Sequence, residues 1–149
     1  MYTYYWRMET VPSLREYECY LLSRVGKSAR GVVAAYLAKR HLTMRHMAIM
    51  SYLADIGPAA QRDIGRLLTI DPSDMVTAID ELQARSLVRR DRDPDDRRRY
   101  RVNLTPAGLA TLTRCRRQLQ DANDALLAPL SARERKALMS ALGKLFDAM

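Results

Sequence analysis

Residues 86–104 interrupt a hydrophobic pattern that is helical along most of the rest of the chain. Two short runs, 86–90 and 100–104, have the residue preferences of strands. Between them lies a stretch crowded with aspartate and arginine around Pro94. Two strands joined by a loop of this length form a β-hairpin. The fold must therefore accommodate one hairpin within a set of helices.

Two helices are predicted ahead of the hairpin in the first third of the chain. Residues 13–16, Ser-Leu-Arg-Glu, form a capping box, so a helix should begin near residue 14. Apolar residues at helical spacing carry it to about Lys39. Thr43 is the expected N-cap of a second helix, which Gly57 and Pro58 end.

Two more helices are predicted between Pro58 and the hairpin. A short one fits residues 60–68, with Ile64 and Leu67 facing inward. The next is expected over 72–85, with Asp71 as its N-cap and a proline in its first turn. Its inward residues are predicted to be Met75, Ile79 and Leu82.

After the hairpin, Thr105 is predicted to cap a long helix to about residue 127, and a capping box at 131–134 opens a last helix. The order predicts a mostly α fold with a small β-hairpin, in which a winged helix-turn-helix lobe, 43–104, lies within one domain, 1–149. The flanking segments, 13–40 and 105–149, carry more apolar surface than the lobe can cover. We expect them to be dimerisation helices that pack on a second copy of the chain.

The charge of the chain is strongly positive and unevenly distributed. The formal net charge is +8, and residues 85–101 contain eight arginines and four aspartates, which is half of that excess. Such a balance favours a polyanionic partner, with nucleic acid first and an anionic membrane surface second. The apolar stretches are too short to span a bilayer and no secretion signal is recognised, so a cytoplasmic location is expected.

The second helix of a helix-turn-helix enters the major groove of DNA, and here that helix is residues 72–85. Removing the inward positions leaves Pro72 and Asp80 as outward candidates together with the four residues expected to read DNA: Ser73, Asp74, Val76 and Thr77. The hydroxyls can bond bases or phosphates, and Val76 can touch a thymine methyl. The two aspartates could accept from a cytosine amino group or pair with arginine.

The loop between the strands supplies the arginines that the helix lacks. Arg97, Arg98 and Arg99 suit phosphates and narrow minor grooves, because guanidinium is planar and weakly hydrated. Asp96 is predicted to pin the side chain of Arg98. Asp93 and Asp95 are expected to moderate nonspecific binding by reducing the net charge. The alternative is a solvated, salt-bridged loop of little consequence.

Three stretches of the hairpin region form a recognisable signature: Leu-Val-Arg-Arg at 87–90, Asp-Asp-Arg-Arg at 95–98 and Val-Asn-Leu-Thr-Pro-Ala-Gly at 102–108. With them the chain resembles the multiple antibiotic resistance regulator (MarR) family. The resemblance implies a homodimeric repressor that binds pseudo-palindromic double-stranded operators, with Arg98 in the minor groove. By the resemblance, Asp96 and Arg98 match the wing-tip pair, and Ser73, Asp74, Val76 and Thr77 match the reading face. Arg90, Arg97 and Arg99 complete the set of residues predicted to bind DNA. The reading face departs from the family pattern, which usually carries more Ser, Thr and Arg.

The resemblance also implies regulation by a small lipophilic or phenolic effector bound between the dimerisation helices and the DNA-binding lobe. The candidate contacts are Tyr20, Arg24, His46, Met47 and Met50. The simpler interpretation of the two methionines is that they fill the core, and that of His46 is a packed or surface histidine. A branch of the family that senses organic hydroperoxides carries a cysteine at a spacing similar to that of Cys19. The tyrosines of that branch are replaced here, so an inert cysteine is the simpler interpretation.

Other classes of function have less support. Cys19 and Cys115 form no CxxC pair, and neither a disulfide framework nor a zinc or other metal site is expected. No cofactor is expected, and no nucleophile motif or phosphate loop indicates an enzyme. An architectural or protein-interaction module with a winged helix stays open. The operator, effector, target genes and direction of regulation are not encoded in recognisable motifs. The aromatic start, with Tyr2, Tyr4, Tyr5 and Trp6, could be a dimer arm or a disordered tail.

Overall fold

The computed structural model describes residues 12–149, so the aromatic start of the chain lies outside the described residues. A 3-10 helix, Pro12–Glu16, precedes six α-helices and one antiparallel hairpin, in an order that confirms the predicted fold class. The elements are α1 Glu18–Ala38, α2 Met44–Asp55, α3 Gln61–Leu68, α4 Pro72–Ala84, β1 Val88–Arg92, β2 Tyr100–Leu104, α5 Pro106–Leu126 and α6 Ala132–Asp147.

The start of the first helix differs from the prediction. Ser13 to Glu16 lie in the 3-10 turn rather than in a capping box, and α1 begins at Glu18. The N–H of Tyr17 donates to the carbonyl of Leu14 at 3.3 Å, which closes the turn. The backbone of Tyr17 is then extended, so a new helix has to start after it. The predicted end is confirmed, with Lys39 as the C-cap.

The predicted start of α2 is confirmed in detail. The hydroxyl of Thr43 accepts from the N–H of His46, and the N–H of Thr43 donates to the His46 imidazole, both at 3.2 Å. Histidine therefore completes a capping box in the position where glutamate or glutamine is usual. The predicted stop is also observed, because α2 ends at Asp55 and Gly57 has a φ of 111°.

One predicted core residue of α3 is on the surface. Ile64 is fully buried, but the side chain of Leu67 is 62% exposed. Leu68 packs against the core instead, one residue further along the chain. Helix α3 has only eight residues and ends before Thr69, whose backbone is in the left-handed region. A helix this short contributes about one turn of apolar side chains to the core.

The hairpin pairs Val88 with Leu104 at its base and Arg92 with Tyr100 at its tip. The second strand is as predicted, whereas the first is shifted two residues toward the loop. Ser86 has a φ of 56°, and the N–H of Leu87 still bonds to α4, so the chain becomes extended only at Val88. Ala59 adds an isolated bridge to Val102, which ties the hairpin to the start of α3.

A single core joins the central lobe to parts of the flanking helices. Met75, Ile79 and Leu82 of α4 are buried as predicted. Leu37 of α1, together with Leu112 and Cys115 of α5, belongs to the same core. Gly108 of α5 is also buried, and it packs so closely on the hairpin that a Cβ at this position would collide with the carbonyl oxygen of Leu87.

The outer parts of the flanking helices remain uncovered by the rest of residues 12–149. Helix α6 has no buried residue, and Leu37 is the sole buried residue of α1. Their exposed large apolar side chains include Leu21, Leu22, Val25, Met139, Leu142, Leu145 and Phe146. Exposed apolar side chains grouped on two helices are typical of an interaction surface.

Candidate nucleic-acid interface

The first turn of α4 is held by its own N-cap. Asp71 accepts from the N–H of Ser73 at 2.8 Å and from its hydroxyl at 2.6 Å. The Ser73 hydroxyl, more than any other group, holds the pKa of the Asp71 carboxyl below its usual value. Pro72 occupies the first turn, where its missing N–H costs no hydrogen bond.

The predicted reading face of α4 points away from the core. Ser73, Val76 and Thr77 are exposed, and Asp74 is half-buried. The Thr77 hydroxyl donates to the carbonyl of Ser73 at 3.1 Å, and the Ser73 hydroxyl donates to Asp71. Both hydroxyl hydrogens are used within the protein, which leaves the oxygens as acceptors on this face.

Three carboxylates of α4 pair with cationic or imidazole groups from neighbouring elements. Arg45 of α2 bonds Asp74 at 2.7 Å. The other two pairs are Arg90 of β1 with Asp80 at 2.7 Å and His46 of α2 with Glu81 at 2.8 Å. Of the two possibilities predicted for Asp74 and Asp80, pairing with arginine is therefore observed.

Arg90 connects the wing, which is the hairpin of β1, β2 and the loop between them, to the recognition helix α4. Its guanidinium donates to Gln83 of α4 and Gln61 of α3, both at 3.1 Å, besides pairing with Asp80. Its side chain is 27% exposed. The geometry makes Arg90 a positioning residue between three elements, and a contact with DNA would need part of this network to open.

Aspartates hold the loop of the wing in place. Asp93 is buried, accepts from the N–H of Asp95 at 2.9 Å and bonds Arg101 at 2.7 Å. The Asp95 N–H is the main reason that the pKa of the Asp93 carboxyl lies below its ordinary value. Asp95 is itself 83% exposed and bonds Arg101 at 3.2 Å. Asp93 therefore organises the loop, a role beyond the charge reduction predicted for it.

Asp96 contacts a different side chain from the one predicted. Its carboxylate accepts the backbone N–H of Arg98 at 3.0 Å and pairs with the guanidinium of Arg99 at 3.2 Å. The turn places the Arg98 side chain on the outside, since its backbone rather than its guanidinium faces Asp96. Asp96 thus fixes the backbone at Arg98 and leaves its guanidinium unheld.

Arg97 and Arg98 are exposed, and within residues 12–149 neither guanidinium has an ion pair or a hydrogen bond. A further cation, Arg92, stacks on the ring of Tyr100 at 4.4 Å and donates to the carbonyl of Arg97 at 2.8 Å. The wing therefore uses its aspartates and Arg92 to shape the loop, and presents two guanidiniums to its surroundings.

The residues predicted to contact an effector divide into two environments. Tyr20 and Arg24 are half-buried on α1, whereas His46, Met47 and Met50 are buried on α2. His46 is engaged by Thr43 and Glu81, and both methionines belong to the core. A concavity of about 610 Å³ lies between α3 and α4, and none of these five residues lines it.

The two cysteines are free thiols in different surroundings. Cys19 is exposed near the start of α1, and Cys115 is buried in the core. Burial raises the pKa of the Cys115 thiol, which keeps it protonated. For Cys19, an inert thiol stays the simpler prediction and a redox role stays the alternative.

Several residues of this interface have no marker in the sequence. Arg45 is 29 positions from Asp74, so their ion pair follows from packing alone. Arg85 donates to the carbonyls of His41 and Arg40 at 2.8 and 3.0 Å and so ties the end of α4 to the end of α1. The capping box does have a signal in the sequence, which is the spacing of Thr43 and His46, with histidine in place of the usual glutamate or glutamine.

Residues 12–149 contain no group of three or more His, Cys, Asp or Glu side chains placed to hold a metal ion. None of the helices in this range combines the length and the apolar character needed to cross a bilayer.

Comparisons with known proteins agree with this geometry. The sequence profile of the MarR family matches residues 42–100. The HTH-type transcriptional repressor NicR of Pseudomonas putida is 32% identical over 109 residues, which cover 71% of this chain and 67% of NicR. Both the matched profile and this relative belong to regulators of transcription rather than to enzymes.

Solved structures extend the similarity over nearly the whole chain. A probable transcriptional regulator from Pseudomonas aeruginosa is 31% identical, with a TM-score of 0.74 and coverage of 89% of this chain and 98% of that one. Bordetella bronchiseptica BpsR, solved in a study of how 6-hydroxynicotinic acid regulates its DNA binding, is 27% identical, with a TM-score of 0.75 and coverage of 90% and 96%. The chain belongs to the MarR family of winged helix-turn-helix transcriptional regulators.

Proposed function

We propose that this regulator is a homodimeric repressor that binds a pseudo-palindromic operator and is released by a small-molecule effector. Helix α4 lies in the major groove and presents Ser73, Asp74, Val76 and Thr77. The wing lies against the adjacent backbone and inserts Arg98 into the minor groove, with Arg97 and Arg99 near phosphates. Arg90 and Asp96 position these elements, and the protein acts in the cytoplasm.

The proposal rests on the different roles of the aspartates and the arginines in the wing. A solvated, idle loop would pair its arginines and aspartates indiscriminately. Here Asp93, Asp95 and Asp96 bond to the loop backbone or to Arg99 and Arg101. Arg97 and Arg98 stay exposed at the tip. This arrangement supports an anion-binding role, because a guanidinium held outward by a fixed backbone loses little freedom on binding a phosphate or a groove.

The uncovered apolar surface of α1 and α6 supports the dimer. Leu142 and Leu145 on α6 are 40% and 56% exposed, and Leu21 and Leu22 on α1 are 40% and 45% exposed. Covering them with the same surface of a second copy gives a two-fold interface, as homo-oligomers favour. A two-fold protein in turn places two recognition helices for a two-fold operator.

The effector site is proposed on the side of α1 that carries Tyr20 and Arg24. An aromatic residue and an arginine four residues apart on one helix, both half-buried, suit an aromatic acid, which is also the class of ligand that regulates BpsR. His46, Met47 and Met50 are buried in α2, and in this proposal a ligand acts on them by shifting the helix. A shift of α2 would reach the reading face through the Arg45–Asp74 and His46–Glu81 contacts.

A fluorescence anisotropy titration tests the proposal. The probe is a labelled duplex from upstream of the protein's own gene, with a scrambled duplex of equal length as the control, at two salt concentrations. Preference for the native duplex that persists at the higher salt is the expected result. Equal affinities that both collapse with salt would indicate phosphate contacts alone. That outcome would overturn the repressor proposal in favour of an architectural module.

A further inference from the structure

The recognition helix of this protein carries only negative charge. Between Pro72 and Ala84 there is no lysine or arginine, while Asp74, Asp80 and Glu81 are all present. A helix of this kind would be repelled by phosphates if its carboxylates stood alone. Each of the three is instead paired with a side chain from α2 or β1.

Asp74 differs from the other two in its position. It is the third residue of α4, at the end that a recognition helix directs to base edges, between the exposed Ser73 and Val76. Asp80 and Glu81 lie two turns later, where they hold the wing strand and the buried His46. Asp74 is therefore the carboxylate in place to meet a base.

The contact with Arg45 uses one carboxylate oxygen of Asp74 and leaves the other as a hydrogen-bond acceptor. The Arg45 Nη2 bonds Oδ2 of Asp74, and within residues 12–149 no other bond to this carboxylate is found. The side chains of Arg45 and Asp74 are 40% and 50% exposed. An ion pair this exposed contributes little to stability, so anchoring the helix is a weak explanation for it. It does offset the charge of Asp74, and it engages Oδ2 while Oδ1 keeps its acceptor capacity.

We infer that Asp74 is a specificity-determining residue that accepts a hydrogen bond from the exocyclic amino group of a cytosine, with Arg45 as the positioning residue that orients it. The inference rests on the proposed function, since it requires α4 to lie in the major groove. Only cytosine and adenine present an amino donor there. Adenine places the N7 acceptor beside it, which repels a carboxylate that can only accept. Guanine and thymine present acceptors at the corresponding position and are rejected.

Selection from a pool of randomised duplexes tests the assignment. The wild-type protein is expected to enrich a two-fold motif with a cytosine at one fixed position in each half-site. Asp74→Ala should lose the preference at that position alone, roughly tenfold in relative affinity, and keep the rest of the motif. The isosteric Asp74→Asn should shift the preference to adenine, because an amide can pair with N6 and N7 together.

A double-mutant cycle tests the role of Arg45. Arg45→Ala should weaken binding to the selected duplex, and most of that loss should vanish in the Asp74→Ala background. A loss that is equal in both backgrounds would make Arg45 an independent phosphate contact and overturn its positioning role. A base profile unchanged by either substitution of Asp74 would overturn the inference while leaving the proposed function intact. Failure of the wild-type protein to enrich any motif would overturn the proposed function itself.

Discussion

The Nε2 of His46 on α2 lies 2.8 Å from a carboxylate oxygen of Glu81 on α4. The opposite ring nitrogen, Nδ1, accepts the N–H of Thr43 at 3.2 Å. An acceptor nitrogen carries no proton, so the hydrogen of the neutral ring must be on Nε2, where it is donated to Glu81. One buried imidazole therefore completes the cap of α2 and fastens the recognition helix to it.

This arrangement predicts a stability that falls in mild acid. Burial lowers the pKa of His46, and Glu81 only partly offsets this effect. The unfolded chain, with an ordinary histidine pKa of about 6.5, then binds more protons than the native state below that pH. Stability is consequently fully present above about pH 6.5 and is lost as the pH falls toward the lower native value.

Urea unfolding at about pH 7.5 and about pH 5.5, at fixed protein concentration, measures the effect. His46→Gln keeps a capping-box residue but cannot titrate, so it should show a smaller loss of the unfolding midpoint between the two pH values. The matched control is His41→Asn, at an exposed position with a φ of 54° that asparagine tolerates. A pH response of His46→Gln equal to that of the wild-type protein would contradict the prediction.

Arg98→Ala is expected to weaken operator binding without unfolding the protein. The Arg98 guanidinium has no partner within residues 12–149, and only its backbone N–H is used, by Asp96. Each arginine contact removed should reduce the slope of log affinity against log salt by about 0.9. Arg133→Ala removes the same charge from an exposed position on α6 and should leave the slope unchanged. An Arg98→Ala protein with wild-type affinity would show that the wing does not contact DNA.

Asp93 and Asp95 should respond to alanine in opposite directions. Both substitutions remove a negative charge near the DNA, so electrostatics alone predicts tighter binding for each. Asp93, however, is buried and bonds both Arg101 and the backbone N–H of Asp95, so its loss should disorder the loop and weaken binding several-fold. Asp95, with 83% exposure, should follow the electrostatic expectation. Anisotropy titrations of the two variants against one duplex decide the matter, and tighter binding by Asp93→Ala would refute the structural role.

Leu142→Asp is expected to shift the protein toward monomers. Leu142 belongs to the uncovered apolar surface of α6, and an interface that buries a carboxylate without a partner is costly. Sedimentation velocity at micromolar concentration gives the oligomeric state. Ser140→Asp, which introduces the same charge on an exposed position of the same helix, is the control and should leave the dimer unchanged. A Leu142→Asp protein that sediments like the wild type would place the dimer interface elsewhere.

Local sequence patterns determined most of the secondary structure. Thr43, Asp71, Thr105 and Ser131 all cap the helices that they were predicted to cap. Capping depends on a side chain and an N–H that are two or three residues apart, so the chain encodes it locally. The same holds for the hairpin and for the arginine-rich tip, because the change of hydrophobic period and the charge density are visible without any tertiary contact. The family resemblance followed from these segments.

Only the tertiary structure decided which charged groups are available and which are used within the protein. Arg45 finds Asp74, Arg90 finds Asp80 and His46 finds Glu81 across separate elements. In the wing, the path of the turn determines that Asp96 pairs with Arg99 and accepts the backbone N–H of Arg98. The sequence lists the charges, but the range of an ion pair is a few ångströms, so only packing determines which of them meet and which are left to contact DNA.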